Sequence, residues 1–158
     1  MPRPILAMVA GLVGLASGLG AARHRDSPRL DAVLAAGSVG SGVVVAVLQP
    51  RDCDSRLEAL APLVRAAESA GWPVIVRVPG SRDAAAEVRG LLADRGWPLD
   101  VAQASPPAVR ALRRIGFTET PLVAVFDAAA RLVVAAPIPA SPEALVRWHA
   151  LVPLVVRR

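Results

Sequence analysis

The stretch that decides the fold of this 158-residue chain is Val109–Val134, with the sequence "VRALRRIGFTETPLVAVFDAAARLVV". Its first part belongs to a helix that Ser105-Pro106-Pro107 opens, since proline suits a first helical turn, and that is predicted to end near Ile115-Gly116. Two apolar strands follow, "TPLVAVFD" and "RLVVAAPI", joined by a turn at Ala128–Ala130. Pro121 opens the first strand, where a residue without an N–H is tolerated. The stretch therefore predicts a helix, a turn through proline and a β-hairpin.

Strands and helices alternate upstream of this stretch. Val43–Gln49 is an uninterrupted apolar run, suited to a strand that is buried on both faces. Apolar residues then recur at helical spacing to about Ala70, with Asp52 or Asp54 as a possible cap and Gly71 as the end. The elements predicted next are a strand at Pro73–Val78, a helix from Ser81 to about Arg95 closed by Gly96, a strand at Pro98–Gln103 and, after the hairpin, a helix from Ser141 to about Val152.

This order of elements predicts an α/β domain with three layers, α/β/α. The C-terminal "VPLVVRR" fits either a short edge strand or an apolar tail. Trp72 and Trp97 occur in matching "GWP" triplets and are predicted to fill the edge of the core where strands begin. Arg113 and Arg114 are interpreted as a solvated helix face near a C-terminus, where cations suit the helix dipole.

Composition limits the classes of partner. The chain is 54% hydrophobic but only 3% aromatic, so its core must consist of Val, Leu, Ala and Ile. All 18 strongly basic residues are arginine, and the net charge is +5. However, the arginines are scattered among acidic residues and no aromatic platform for stacking bases accompanies them. We therefore expect no nucleic-acid partner.

The chain has few residues that could bind a metal. Cys53 is the single cysteine, which excludes an internal disulfide and any metal site built from several cysteines. His24 and His149 lie near opposite ends of the chain, and His149 is interpreted as a surface or packing residue. The chain therefore has too few cysteines and histidines for a zinc site, and no suitably placed histidine for a Ser-His-Asp triad. We expect neither a metal nor another cofactor.

The N-terminal segment has the character of a membrane or export signal. Pro4–Ala22 carries no charge and is about long enough to cross a bilayer as a helix. Gly20-Ala21-Ala22 equally supplies the small residues of a signal-peptide cleavage site. We predict that residues 1–29 form a signal-anchor or signal peptide with a short linker, and that residues 30–158 form the folded domain. That domain would lie outside the cytoplasm, either tethered to the membrane or exported after cleavage.

Cys53 lies at a break between a strand and a helix, in Val43–Leu60, "VVVAVLQPRDCDSRLEAL". A thiolate at the start of a helix is stabilised by the helix dipole and the free N–H groups. Arg51 and Arg56 add positive potential, whereas the two flanking aspartates oppose it. Two interpretations stay open: a thiol with a lowered pKa, or a small, partly buried residue with no chemistry.

These features together resemble the thioredoxin fold, in the variant found in membrane-anchored TlpA-like thiol-disulfide oxidoreductases and peroxiredoxins. The resemblance covers about Gly42 to Val152. Such proteins place their C-x-x-C where Cys53 stands, and they insert a helix and strand like "DAAAEVRGLLADRGWPLDVAQA". The resemblance implies a mixed central sheet. It also implies that Pro121 is a cis-proline facing the cysteine, with Thr120 as its partner.

The sequence departs from that family at the second cysteine. The motif is Cys53-Asp54-Ser55-Arg56, so Arg56 occupies the position of the resolving cysteine. Pro50 is too close to Cys53 for the peroxiredoxin signature. The resemblance thus implies a monothiol site, with Cys53, Arg56, Thr120 and Pro121 as its residues. The expected partner is a protein thiol or disulfide, or a small thiol. The alternatives are a redox-inactive binding or assembly module and a one-cysteine, peroxiredoxin-like peroxidase.

Overall fold

The structure, a computed structural model, describes residues 41–52, 54–114 and 120–156, and of residues 149 and 151–156 it describes the backbone alone. The expectations for residues 1–29 and for the position of Cys53 lie outside these residues. Within them the chain forms five strands and five helices: β1 (Val43–Val47), α1 (Asp54–Glu58), α2 (Ala61–Ser69), β2 (Val74–Val78), α3 (Arg82–Ala93), β3 (Asp100–Gln103), α4 (Pro106–Arg114), β4 (Leu122–Phe126), β5 (Leu132–Pro137) and α5 (Pro142–Val156).

The five strands form one mixed sheet in the order β3-β2-β1-β4-β5. The β1, β2 and β3 strands are parallel, whereas β4 and β5 run antiparallel to their neighbours. Val47, the last residue of β1, lies opposite Leu122, the first residue of β4. The carboxyl ends of β1, β2 and β3 and the amino end of β4 therefore meet along one side of the sheet, which we call the carboxyl edge.

The central strands β1 and β4 are buried on both faces, as the apolar runs predict, whereas the edge strand β5 is partly exposed. Val44 and Ala46 belong to a core with residues of α1, α2 and α3, against which α5 also packs. Val43, Val45 and Val47 point the other way and belong to a second core with α4. Because side chains alternate along a strand, β1 supplies both cores at once. The predicted three-layer α/β/α arrangement and the mixed sheet are confirmed.

Several local signals act as predicted. Ser81 accepts a hydrogen bond from the Ala84 N–H at 3.1 Å and so caps α3. Gly71 and Gly96 follow α2 and α3 with φ angles of +69° and +73°, a backbone conformation that glycine adopts without strain. Ser105 caps α4 in the same way as Ser81, by accepting from the Ala108 N–H at 3.3 Å.

The helix expected after β1 is two helices. It is interrupted at Ala59 and Leu60, between α1 and α2. Pro62 stands in the first turn of α2. In a continuous helix its ring would clash with the carbonyl of Glu58, and its missing N–H would break the hydrogen-bond ladder. The prediction of a single helix is therefore wrong, and Pro62 is the local cause.

The C-terminal helix is longer than predicted. It continues past Val152 to Val156, so that part of "VPLVVRR" is neither an edge strand nor a tail. Its first half is docked by Leu145 and Trp148, and the Trp148 Nε1 donates to the Ala59 carbonyl at 3.3 Å. The helix also contains Pro153, a residue that lacks an N–H and ordinarily favours an earlier end. Within residues 41–52, 54–114 and 120–156, no helix combines the length and apolar character that spanning a bilayer requires.

Candidate functional site

The loop after β1 is closed by its own hydrogen bonds. The Asp52 N–H donates to the Gln49 carbonyl at 3.0 Å, and the Gln49 N–H donates to Asp52 Oδ2 at 2.7 Å. This turn lies at the carboxyl edge, because β1 ends at Val47. It sets the direction in which the chain leaves the sheet toward Cys53.

Asp52 also contacts the residue that precedes β4. The Thr120 hydroxyl donates to Asp52 Oδ1 at 2.7 Å. The peptide bond between Thr120 and Pro121 is cis, as the resemblance to the thioredoxin fold implies, and Pro121 is buried. Both oxygens of one carboxylate thus tie the β1 loop to itself and to the start of β4.

Arg56, in α1, also contacts the residue that precedes the cis-proline. Its Nη1 donates to the Thr120 carbonyl at 3.0 Å, and its Nη2 donates to the Ile138 carbonyl at 3.1 Å. The two segments that carry these acceptors are also joined directly, because the Ile138 N–H donates to the carbonyl of Pro121, the residue after Thr120, at 2.8 Å. We call this arrangement the Arg56 fork. Arg56 Nε is buried and has no hydrogen-bond partner among the described residues.

Asp54 is paired with a cation that the sequence analysis did not identify. Arg95, just beyond the end of α3, makes an ion pair with the Asp54 carboxylate and donates to the Leu91 carbonyl at 2.8 Å. The carboxylate expected to oppose a thiolate at position 53 is thus partly compensated. No local motif predicts this pair, because 41 residues separate the two.

Three of the four predicted site residues come together in the structure. Arg56, Thr120 and Pro121 meet at the carboxyl edge, and Ile138 joins them through its backbone carbonyl. Cys53, the fourth, is outside the described residues. Neither Arg95 nor Ile138 was expected, since one contributes through a distant helix and the other through main-chain atoms. In the described part of the chain, no cluster of three or more His, Cys, Asp or Glu residues is arranged to hold a metal ion.

Comparisons with known proteins agree on the fold. No protein-family model matches the chain, and no curated protein matches it. Among solved structures, it is similar to a thioredoxin-like protein from Porphyromonas gingivalis, with a TM-score of 0.56, 16% identity and coverage of 76% of this chain and 78% of that one. For a thiol:disulfide interchange protein of the thioredoxin family from Chlorobium tepidum, the TM-score is 0.52, with 17% identity and coverage of 72% and 81%.

A third similar structure is a secreted disulfide oxidoreductase from Mycobacterium tuberculosis. Its TM-score is 0.50, with 10% identity and coverage of 73% of this chain and 82% of that one. At such identities the likeness establishes the fold and leaves the chemistry to the residues of this chain. The chain has the thioredoxin-like fold.

Proposed function

We propose that this protein performs thiol-disulfide exchange through Cys53, with a partner that supplies the second thiol. The observation that supports the proposal is the convergence on Thr120. Asp52, the residue before Cys53, and Arg56, three residues after it, both hydrogen-bond to Thr120. The chain segment that contains the thiol is thereby tied at both ends to the residue preceding the cis-proline.

The proposed step is a balanced exchange. The Cys53 thiolate attacks one sulfur of a partner disulfide, a mixed disulfide forms, and the other sulfur leaves as a thiolate. Cys53 is oxidised and the released thiol is reduced. Because Arg56 stands where a resolving cysteine would be, a thiol from outside the chain must cleave the mixed disulfide.

The charges around this segment partly favour the thiolate. The Asp54 charge is compensated by Arg95, whereas Asp52 keeps its negative charge and accepts hydrogen bonds from the Gln49 N–H and the Thr120 hydroxyl. Arg56 Nε, three residues after Cys53 in the sequence, is a buried donor without a described hydrogen-bond partner. A nearby thiolate would satisfy such a donor, and a lowered thiol pKa would follow.

We also propose that the folded domain, residues 30–158, works outside the cytoplasm. The uncharged segment Pro4–Ala22 supports this location, as a membrane anchor or a cleaved signal. A similar structure, the Mycobacterium tuberculosis oxidoreductase, is that of a secreted protein. Expression of the full chain with a C-terminal reporter enzyme that is active only outside the cytoplasm tests this placement. Reporter activity confined to the cytoplasm would contradict it.

A non-catalytic binding module is the second candidate, and the Arg56 fork favours it. A guanidinium that is fixed by the carbonyls of Thr120 and Ile138 fills the second-cysteine position with a structural contact. Such a site would keep the fold as a scaffold for another protein, with Cys53 inert.

The rate of Cys53 alkylation across pH separates the two candidates. Exchange chemistry requires a thiol pKa below the ordinary value of about 8.5. It also requires that Cys53 form mixed disulfides with partners and that dithiothreitol reduce them. The Cys53→Ser chain is the control, in which both signals must vanish. A thiol that reacts slowly and titrates near the ordinary value would refute exchange and support the binding module.

A further inference from the structure

An open cavity with two arginines lies at the carboxyl edge, on the β2 and β3 side. It has a volume of about 360 Å³ and is lined by Gly80, Gln103, Ala104, Pro106, Val109, Arg110 and Arg113. Gly80 follows β2, Gln103 ends β3, and the two arginines come from α4. We call this cavity the arginine pocket. Its volume falls at the small end of the range of about 300–1,000 Å³ that is usual for small-molecule sites.

The charges in the arginine pocket have no partners within the described chain. Arg110 and Arg113 are exposed, and neither makes an ion pair or a hydrogen bond to another described residue through its guanidinium. They lie three residues apart on α4, so they stand on neighbouring turns of one helix face. Gln103 donates through Nε2 to the Gly80 carbonyl, which orients its amide at the pocket wall. Two guanidinium groups that no described residue pairs, beside a polar amide, provide a site for carboxylate groups.

The arginine pocket lies at the same edge of the sheet from which the chain leads to Cys53. Neighbouring strands are about 4.8 Å apart, so the ends of β2 and β3 lie about 5 and 10 Å from the end of β1. The Gln49–Asp52 turn that leads to Cys53 leaves the end of β1 at this same edge. The Thr120-Pro121 bond lies on the opposite side of that turn, at the start of β4.

We propose that the arginine pocket binds the carboxylate groups of a low-molecular-weight thiol, and so selects the partner that forms a mixed disulfide with Cys53. The formation of the mixed disulfide rests on the proposed exchange function, whereas the binding of carboxylate groups in the arginine pocket does not. In that step the Cys53 thiolate attacks the disulfide of the small thiol. One half stays bound to Cys53, and the other half leaves as a free thiolate, which accepts the electron pair of the broken bond.

The binding is tested without exchange chemistry. S-methylglutathione, an anionic probe that cannot exchange, is titrated calorimetrically into the full chain carrying Cys53→Ser. We expect Arg110→Gln with Arg113→Gln to weaken its affinity about five- to tenfold, in the range of two exposed charge-assisted contacts. Arg114→Gln is the matched control, since Arg114 is on the same helix, is exposed and does not line the pocket. Equal affinity in the double variant and this control, or no binding at all, would overturn the inference.

The exchange step is tested separately with two disulfides. The rates of Cys53 modification by oxidised glutathione and by neutral 2-hydroxyethyl disulfide are compared in the otherwise unaltered chain. The inference predicts that the double variant reacts with oxidised glutathione about five- to tenfold more slowly than the unaltered chain, and with 2-hydroxyethyl disulfide at the same rate. At high salt, the two proteins should react with oxidised glutathione at similar rates. Slow reaction with both disulfides in the unaltered chain would refute the exchange function, whereas equal effects of the substitutions on both reactions would refute selection by the pocket.

Discussion

Removal of the Arg56 fork should destabilise the domain. In Arg56→Met a side chain of similar length loses two hydrogen bonds, at 3.0 and 3.1 Å, to the carbonyls of Thr120 and Ile138. Hydrogen bonds from a charged donor contribute about 1.5–3 kcal/mol each. Part of this free energy is recovered, because the substitution also removes the buried Nε, which has no hydrogen-bond partner among the described residues. We expect the free energy of unfolding to fall by about 2–4 kcal/mol.

Urea unfolding followed by circular dichroism measures this loss. With a slope of about 2 kcal/mol per molar urea, the midpoint should fall by about 1–2 M at an unchanged slope. Arg65→Met is the matched control, because Arg65 is exposed on α2 and its side chain makes no hydrogen bond or ion pair with a described residue. We expect that control to stay within about 0.5 kcal/mol of the unaltered chain.

The lysine variant separates geometry from charge. Arg56→Lys keeps a cation but cannot reach two carbonyls with one planar group, so an intermediate loss is expected. A midpoint for Arg56→Met equal to that of Arg65→Met would refute the reasoning, because the fork would then contribute nothing to stability. A loss in Arg56→Lys as small as in the control would show that charge alone, not the two carbonyl bonds, matters.

Two further predictions concern the hairpin and the start of β1. Backbone hydrogen bonding by the Arg131 N–H, at 2.9 Å, holds the pKa of the Asp127 carboxyl below its ordinary value of 3.8. This carboxylate therefore stabilises the fold above about pH 4 and ceases to do so as the pH falls through the lowered pKa. The difference in urea midpoint between the unaltered chain and Asp127→Asn should shrink from about pH 6 to about pH 2, and a constant difference would contradict it. A Cβ at Gly42 would lie 2.5 Å from the Trp72 ring, so Gly42→Ala should lower stability by about 1–3 kcal/mol in the same assay. Gly90→Ala, with open space around its Cβ in α3, should instead gain about 0.5–1 kcal/mol, and a loss there would show that added bulk is harmful irrespective of contact.

The order of the elements could be predicted because its signals are local. Runs of valine indicate buried strands, and Ser81, Gly71 and Gly96 mark helix ends through contacts within a few residues. Pro62 was also a local signal, and the break it causes between α1 and α2 could have been predicted from the chemistry of proline. The extension of α5 to Val156 was not predicted, because the helix passes through Pro153, a residue that lacks an N–H and ordinarily favours a helix end.

The candidate site likewise has features that the sequence predicts and features that depend on tertiary contacts. The sequence alone determined that a single thiol follows a buried strand, that an arginine stands three residues after this thiol, and that a Thr-Pro pair opens a strand. Only the tertiary structure decided where that arginine binds, since its two acceptors lie 64 and 82 residues away. It likewise decided that Arg95 pairs with Asp54, and that Arg113, expected to be merely solvated, lines a pocket. Such contacts depend on the strand order and register of the whole sheet, which bring distant residues to one edge, whereas periodicity and capping depend only on near neighbours.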